Sequence, residues 1–205
     1  MTDFFDGVLL TGNDLTFEQL YAVALRKKRV SLAPDAIERM KASRAVVDRL
    51  VASGATAYGI NTGFGKLASV RISTEQVRQL QVNLVRSHAC GVGTPLSELE
   101  TRAMMLLRAN ALAKGLSGIR PQTVETLCAM LNAGVHPVIP SQGSVGASGD
   151  LAPLAHMAAA ISMRSPVLKV MRVAALVFRR LLRNSGISSA RTGPNTPVQP
   201  VLFLS

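Results

Sequence analysis

Signals that begin and end α-helices recur along the first 160 residues, and they constrain the fold of this chain more than any other feature. Thr16 and Gln19 have the spacing of a capping box, in which two side chains satisfy free N–H groups at a helix start. Pro34 stands where a first-turn proline is typical, and Gly54 follows the last apolar position of the same segment. Further signals of this kind predict a mainly α fold with helices at about 17–27, 34–53, 73–90, 97–114, 121–133 and 151–162.

The composition fits a packed protein in a reducing compartment. Hydrophobic residues make up 48% of the 205 residues and charged residues 17%, and no apolar run reaches the roughly 18 to 20 residues that a membrane span needs. The start of the chain, MTDFFDGVLL, is acidic where a signal peptide would be basic. The two cysteines, Cys90 and Cys128, lack the spacing of a zinc site or a disulfide framework. We therefore expect a cytoplasmic protein without a bound metal.

The net charge of +11 is unevenly distributed along the chain. Residues 1–160 carry all 12 acidic residues and have a net charge of +4, whereas residues 161–205 have no acidic residue and a net charge of +7. The composition also changes at this point, toward Arg, Ser, Pro, Val and Leu. We therefore predict a boundary near residue 160 and expect no nucleic-acid partner.

Two glycine-rich segments separate the predicted helices. The first is YGINTGFG at residues 58–65, and the second is GSVGASGD at residues 143–150. The second segment lacks the GKS or GKT ending of a phosphate-binding Walker loop and the spacing of a dinucleotide fingerprint. Taken alone, each could be a structural turn, the second one capping the helix that follows it.

The longer stretch GSVGASGDLAPLAHMA, residues 143–158, closely resembles the signature of the histidine and phenylalanine ammonia-lyase family. The resemblance implies that Ala147, Ser148 and Gly149 cyclise into 4-methylidene-imidazol-5-one (MIO), a built-in electrophile. In this reaction the amide nitrogen of Gly149 attacks the carbonyl carbon of Ala147, two waters are lost, and dehydration of Ser148 leaves a methylidene carbon. Small residues suit such a tight backbone closure. No external cofactor is then required.

The segment that begins at Tyr58 is also similar to this family, which places its general base at the tyrosine of YGINTGFG. The resemblance therefore implies that Tyr58 removes a proton from the substrate. The other tyrosine, Tyr21, lies within a helical apolar pattern, and we expect it to pack in the core.

The sequence NLVRSHA, which ends with His88 and Ala89, resembles the histidine-specific branch of the family, in which the Ser-His pair helps to select the substrate. A polar imidazole suits a polar substrate ring, because an unpaired buried hydrogen-bonding group costs about 1–3 kcal/mol. His88 therefore favours L-histidine, while L-phenylalanine and L-tyrosine remain alternatives. His136 is expected to be an ordinary hydrogen-bonded residue of the surface or core, and His156 is expected to serve packing.

Together these resemblances predict the N-terminal portion of the ammonia-lyase (aspartase-like) helical fold, with two glycine-rich active-site loops. They imply non-oxidative elimination of ammonia from L-histidine to give urocanate. They also imply a homotetramer whose active sites draw on several subunits.

The resemblance covers residues 5–160 and then stops, and the Ile-Asn-Gly-Thr segment that the family has further along is not found. We therefore expect a truncated or frameshifted chain with little activity, and an inactive lyase fragment is an alternative. A functional tail is another alternative, because a helix over 166–183 would gather its basic residues within an arc of about 100°. Such a helix would suit an anionic membrane or an acidic partner. Its basic residues are Lys169, Arg172, Arg179, Arg180 and Arg183.

Overall fold

A computed structural model describes residues 6–62, 72–143 and 151–162 of the chain. Six helices dominate this part, as the sequence predicted: α1 (Phe17–Ala24), α2 (Pro34–Ser53), α3 (Thr74–His88), α4 (Glu98–Ala113), α5 (Pro121–Ala133) and α6 (Leu151–Ser162). Four short strands accompany them: β1 (Gly7–Leu10), β2 (Arg29–Leu32), β3 (Val92–Pro95) and β4 (Pro140–Gln142). Within the described residues, no helix has the length and apolar character needed to cross a membrane.

The predicted helix starts are confirmed, with different degrees of capping. At α1, the Gln19 backbone N–H donates to Thr16 Oγ1 and the Thr16 N–H donates to Gln19 Oε1, which completes a capping box. Ser97 and Glu100 form the same arrangement at α4. Ser73 begins α3 without a side-chain cap.

Two helix ends have different causes. Gly54 ends α2 in the left-handed conformation that a glycine adopts without strain. The sequence predicted that α1 extends to Lys27, but the helix ends at Ala24. Lys27 has a positive φ of 57°, which lies outside the right-handed helical region.

Two strands, β1 and β2, flank α1, and the helix signals in the sequence did not mark them. Strands β1 and β2 pair in parallel, from Gly7 with Arg29 to Leu10 with Leu32, and α1 forms the connection. The side chain of Asn132 continues the pairing from α5, because its amide both accepts from the Val30 N–H at 2.9 Å and donates to the Val30 carbonyl at 2.8 Å. A side chain from a distant helix thus satisfies the backbone of a very short strand.

The core lies where α4 and α5 pack against the paired strands. Helix α4 buries Met105, Leu106 and Ala109 completely, and α5 contributes Val124 and Leu127. Each such aliphatic side chain contributes roughly 1.5–3 kcal/mol by leaving water. Tyr21 does not join this core, contrary to expectation: it is 51% exposed, and the Arg26 guanidinium lies 5.3 Å from its ring centroid.

One charged side chain, Arg102 of α4, is buried in this core with 1% of its surface exposed. Its guanidinium donates to the carbonyls of Val23, Ala24 and Leu131 at 2.7–3.2 Å, and to Nε2 of His136 at 2.9 Å. The first two carbonyls belong to the last turn of α1, which has no intrahelical donors for them. Arg102 therefore ties the ends of α1 and α5 to α4.

Candidate active site

Tyr58 lies in a turn that follows α2, and 66% of its surface is exposed. The next residue, Gly59, has a φ of +75°, and no atom lies within 4 Å of where its Cβ would be. The turn is closed by backbone hydrogen bonds from Ile60 and Asn61 to the carbonyl of Ala57. The structure thus presents the tyrosine on the surface of a hydrogen-bonded turn.

Asn61 organises this turn, a role that was not predicted from the sequence. Its side chain is buried; Oδ1 accepts from the Ala57 N–H at 2.8 Å and Nδ2 donates to the Ala55 carbonyl at 2.8 Å. Its own carbonyl accepts from the N–H of Ile72, on the far side of the first glycine-rich segment. Asn61 therefore fixes the backbone around Tyr58.

His88 is the last residue of α3 and is partly buried. Its Nδ1 lies 2.8 Å from the carbonyl oxygen of Leu84 and 3.1 Å from Oγ of Ser87. A carbonyl can only accept, so Nδ1 carries the proton and Nε2 is the acceptor nitrogen of the neutral ring. The Ser87 hydroxyl donates to the same carbonyl at 2.9 Å, so the Leu84 carbonyl sets the tautomer of the imidazole and holds the Ser-His pair noted in the sequence together.

The three predicted ring precursors, Ala147, Ser148 and Gly149, lie outside the described residues. The residues on either side of their segment can be placed. Gly143 precedes it with a φ of +132°, and a Cβ on Gly143 would lie 3.3 Å from the Cβ of Ala152. The backbone at Gly143 therefore packs closely against the start of α6.

The end of α3 also lies close to Gly143 and α6. Strand β3 pairs antiparallel with β4, with Val92 opposite Gln142, so the residues after His88 lie beside those before the second glycine-rich segment. The N–H of Gly91 donates to Nε2 of His156 on α6 at 3.1 Å. His156 was expected only to pack, and the structure instead gives it a hydrogen bond across two elements.

Two surface clefts lie elsewhere, and neither is lined by Tyr58 or His88. One, of about 320 Å³, is polar and is formed by α2 and the start of α5. The other, of about 470 Å³, is mainly apolar and is lined by α4 and by Leu154 of α6. Neither of these two clefts therefore includes Tyr58 or His88, the candidate residues that the structure describes.

The two cysteines differ in environment. Cys90 is exposed beside Gly91, while Cys128 is buried in α5. Burial raises the pKa of the Cys128 thiol to about 11. The thiolate of Cys128 is therefore scarce at neutral pH, and this cysteine is a core residue.

Comparison with known proteins places this arrangement in a family. The sequence model described as aromatic amino acid lyase matches residues 15–192. A histidine ammonia-lyase of Geobacillus thermodenitrificans (strain NG80-2) is 56% identical over 154 residues, which are 75% of this chain and 31% of that protein. The chain thus spans about a third of the length of this curated relative.

Solved structures agree with the sequence match. The histidine ammonia-lyase of Trypanosoma cruzi superposes with a TM-score of 0.67 at 45% identity, over 74% of this chain and 28% of that one. A tyrosine aminomutase of Streptomyces globisporus gives a TM-score of 0.68 at 38% identity, over 74% and 28% of the two chains. With a sequence model that covers most of its residues and a shared fold, the chain belongs to the aromatic amino acid lyase family.

Proposed function

We propose that this chain supplies the N-terminal part of the active site of a histidine ammonia-lyase, which eliminates ammonia from L-histidine to give urocanate. The observation that carries the proposal is the Ser87–His88 unit at the end of α3, in a chain that is 56% identical to a histidine ammonia-lyase over three quarters of its length. The similarity supports the reaction class, and the oriented imidazole supports the substrate.

Within this proposal the electrophile is the MIO group formed from Ala147, Ser148 and Gly149. When formed, the group supplies an electron-deficient carbon that draws electrons from the substrate and makes ammonia a better leaving group. The close packing of Gly143 against Ala152 supports this assignment, because ring closure needs a compact backbone. No external cofactor is then needed.

Tyr58 is proposed as the general base. A base must come within hydrogen-bonding distance of the proton that it removes, and an exposed side chain on a turn can meet a bound substrate. Asn61 supports this role by holding the turn through two hydrogen bonds at 2.8 Å.

His88 is proposed to bind the substrate side chain. With Nδ1 donating to Leu84, the neutral ring offers Nε2 as an acceptor for an N–H donor such as the imidazole of L-histidine. A phenyl ring would leave that acceptor unpaired at a cost of about 1–3 kcal/mol. L-tyrosine and L-phenylalanine are the alternative substrates, since the fold is shared with a tyrosine aminomutase. The proposed enzyme is a homotetramer in the cytoplasm.

The experiment is a chimera in which residues 5–160 of this chain replace the matching segment of the Geobacillus enzyme. We expect the purified chimera to produce urocanate from L-histidine, measured by ultraviolet absorbance, and to act poorly on L-phenylalanine and L-tyrosine. His88→Phe should lower the preference for L-histidine by about tenfold or more. Because the 205-residue chain spans 31% of that relative, we expect little or no urocanate from the chain alone.

Two outcomes contradict the proposal. A folded chimera that releases no urocanate would contradict the proposed reaction. A chimera that prefers L-phenylalanine or L-tyrosine would contradict the assignment of L-histidine as the substrate. Thr126→Ala is the matched control, because Thr126 lies on the exposed side of α5 and bonds only its own helix, at the Gln122 carbonyl.

A further inference from the structure

Gly91 occupies the point where three elements meet. It lies between the end of α3 and the start of β3, and strand pairing places it next to the end of β4. Gly91, Gly143, Ala152 and His156 are referred to below as the junction. The junction joins the backbone that follows α3, the residue that precedes 144–150, and the helix α6 that follows 144–150.

The hydrogen bond in the junction joins a backbone donor to a side chain. Gly91 N–H donates to Nε2 of His156 at 3.1 Å, which requires an unprotonated Nε2 and places the proton of the neutral ring on Nδ1. Burial lowers the pKa of His156, which keeps the ring neutral. A residue that only packs would not need an acceptor at this position.

The packing in the junction admits no side chain at either glycine without displacement. A Cβ on Gly91 would lie 3.1 Å from the carbonyl oxygen of Gln142 and 3.1 Å from Nε2 of His156. A Cβ on Gly143 would lie 2.8 Å from Cα of Gly91, closer than real Cβ atoms approach another atom. The backbone that follows His88 is therefore in direct contact with Gly143, which precedes 144–150, and with the side chain of His156 on α6, which follows it.

We propose that His156 is a positioning residue that fixes α6, which follows the segment 144–150, relative to the end of α3. Its hydrogen bond to Gly91 holds α6, which follows the segment, against the backbone that follows His88. Gly143 packs against the same glycine and holds the other end. The inference rests on the proposed function, because only then does the arrangement set the ring precursors relative to the substrate-binding imidazole.

The first test measures amide hydrogen exchange in the full 205-residue chain. His156→Leu removes the acceptor while keeping an apolar side chain, and His156→Gln keeps an acceptor oxygen. We expect exchange at the Gly91 amide, measured relative to the amides of α5, to rise about tenfold in the leucine variant. In the glutamine variant it should stay near the wild-type ratio.

Met157→Ala is the matched control for a general loss of packing. Met157 is the next residue of α6 and is 2% exposed, so its truncation weakens the core without removing the junction hydrogen bond. The ratio of Gly91 to α5 exchange should not change in this variant. An unchanged ratio in His156→Leu, or an equal rise in all three variants, would overturn the inference.

The second test uses the chimera and an intact mass measurement. The fraction of molecules that are lighter by two waters should fall severalfold with His156→Leu, recover with His156→Gln and remain high with Met157→Ala. An undiminished fraction in His156→Leu would contradict positioning. If the unsubstituted chimera shows no water loss, the proposed function fails, while the exchange ratio at Gly91 still decides whether His156 holds the junction.

Discussion

His136 and His156 use the same ring nitrogen in two different regions of the molecule. Nε2 of His136 accepts from the buried guanidinium of Arg102, whereas Nε2 of His156 accepts from the backbone N–H of Gly91. The first bond belongs to the core formed by α1, α4 and α5. The second belongs to the junction beside the proposed ring precursors. The comparison indicates that one histidine serves stability and the other serves local geometry.

The largest effect should come from the core. Arg102→Leu removes the donors to the carbonyls of Val23, Ala24 and Leu131 and to His136. Because each unsatisfied buried acceptor costs about 1–3 kcal/mol, we expect the free energy of unfolding to fall by at least about 3 kcal/mol. Denaturant unfolding followed by circular dichroism measures this change. A loss below about 1 kcal/mol would contradict the role assigned to Arg102.

Two glycines provide the next comparison. Gly143→Ala places a methyl group 2.8 Å from Cα of Gly91, whereas Gly134→Ala, at the end of α5, meets nothing within 4 Å. Both positions have positive φ, so both variants have backbone strain of about 1–2 kcal/mol. Steric overlap adds to this only at Gly143. We expect Gly143→Ala to be the more destabilising in denaturant unfolding, and equal losses would show that the junction is loosely packed.

The pH dependence of stability separates the two histidines. Burial and then the charge of Arg102 hold the pKa of His136 below its ordinary value of 6.5, and burial alone lowers the pKa of His156. For each ring the unfolded chain binds the proton more readily. The free energy of unfolding should therefore be highest above pH 6.5 and decrease as the pH falls from there toward the folded-state pKa.

His136→Gln and His156→Gln test this assignment, because glutamine offers an acceptor oxygen without titrating. Each variant should reduce the slope of stability against pH just below 6.5, because each folded-state pKa is lowered. Chemical denaturation at a series of pH values measures the slopes. A steeper slope in either variant would contradict the stated direction.

The smallest effect concerns the cysteines, which report on the same two regions. Cys90 is exposed next to Gly91, and the Cys128 thiol is buried in the core with its pKa raised to about 11. Alkylation under native conditions at pH 8 should modify Cys90 and leave Cys128 unmodified until the chain unfolds. Peptide mass mapping identifies the labelled residue. Equal labelling of both would show that α5 opens readily.

The helices could be predicted from sequence because their start and stop signals are local. Thr16 with Gln19, and Ser97 with Glu100, act within one turn of helix, and both pairs form capping boxes. Strands β1 and β2 could not be predicted in the same way. They have four residues each, and the Asn132 side chain that completes their pairing lies 102 residues from Val30.

The features of the candidate site likewise divide into those with a local sequence signal and those without one. The resemblance identified Tyr58 and His88 because each lies within a short contiguous motif. It missed Asn61 as the organiser of its turn, although asparagine within a glycine-rich turn is itself a signal for this role. It also missed the bond between Gly91 and His156, whose partners are 65 residues apart, because no local pattern marks such a contact.

The central claim, that Ala147, Ser148 and Gly149 form the electrophile, is tested most directly by the intact mass of the chimera and of its Ser148→Ala variant. The account predicts that the unsubstituted protein is lighter than its sequence by two waters. Ser148→Ala has no side-chain hydroxyl to eliminate, so it cannot form the methylidene carbon and should lose at most one water. A folded, unsubstituted chimera with the full mass of its sequence would contradict the claim.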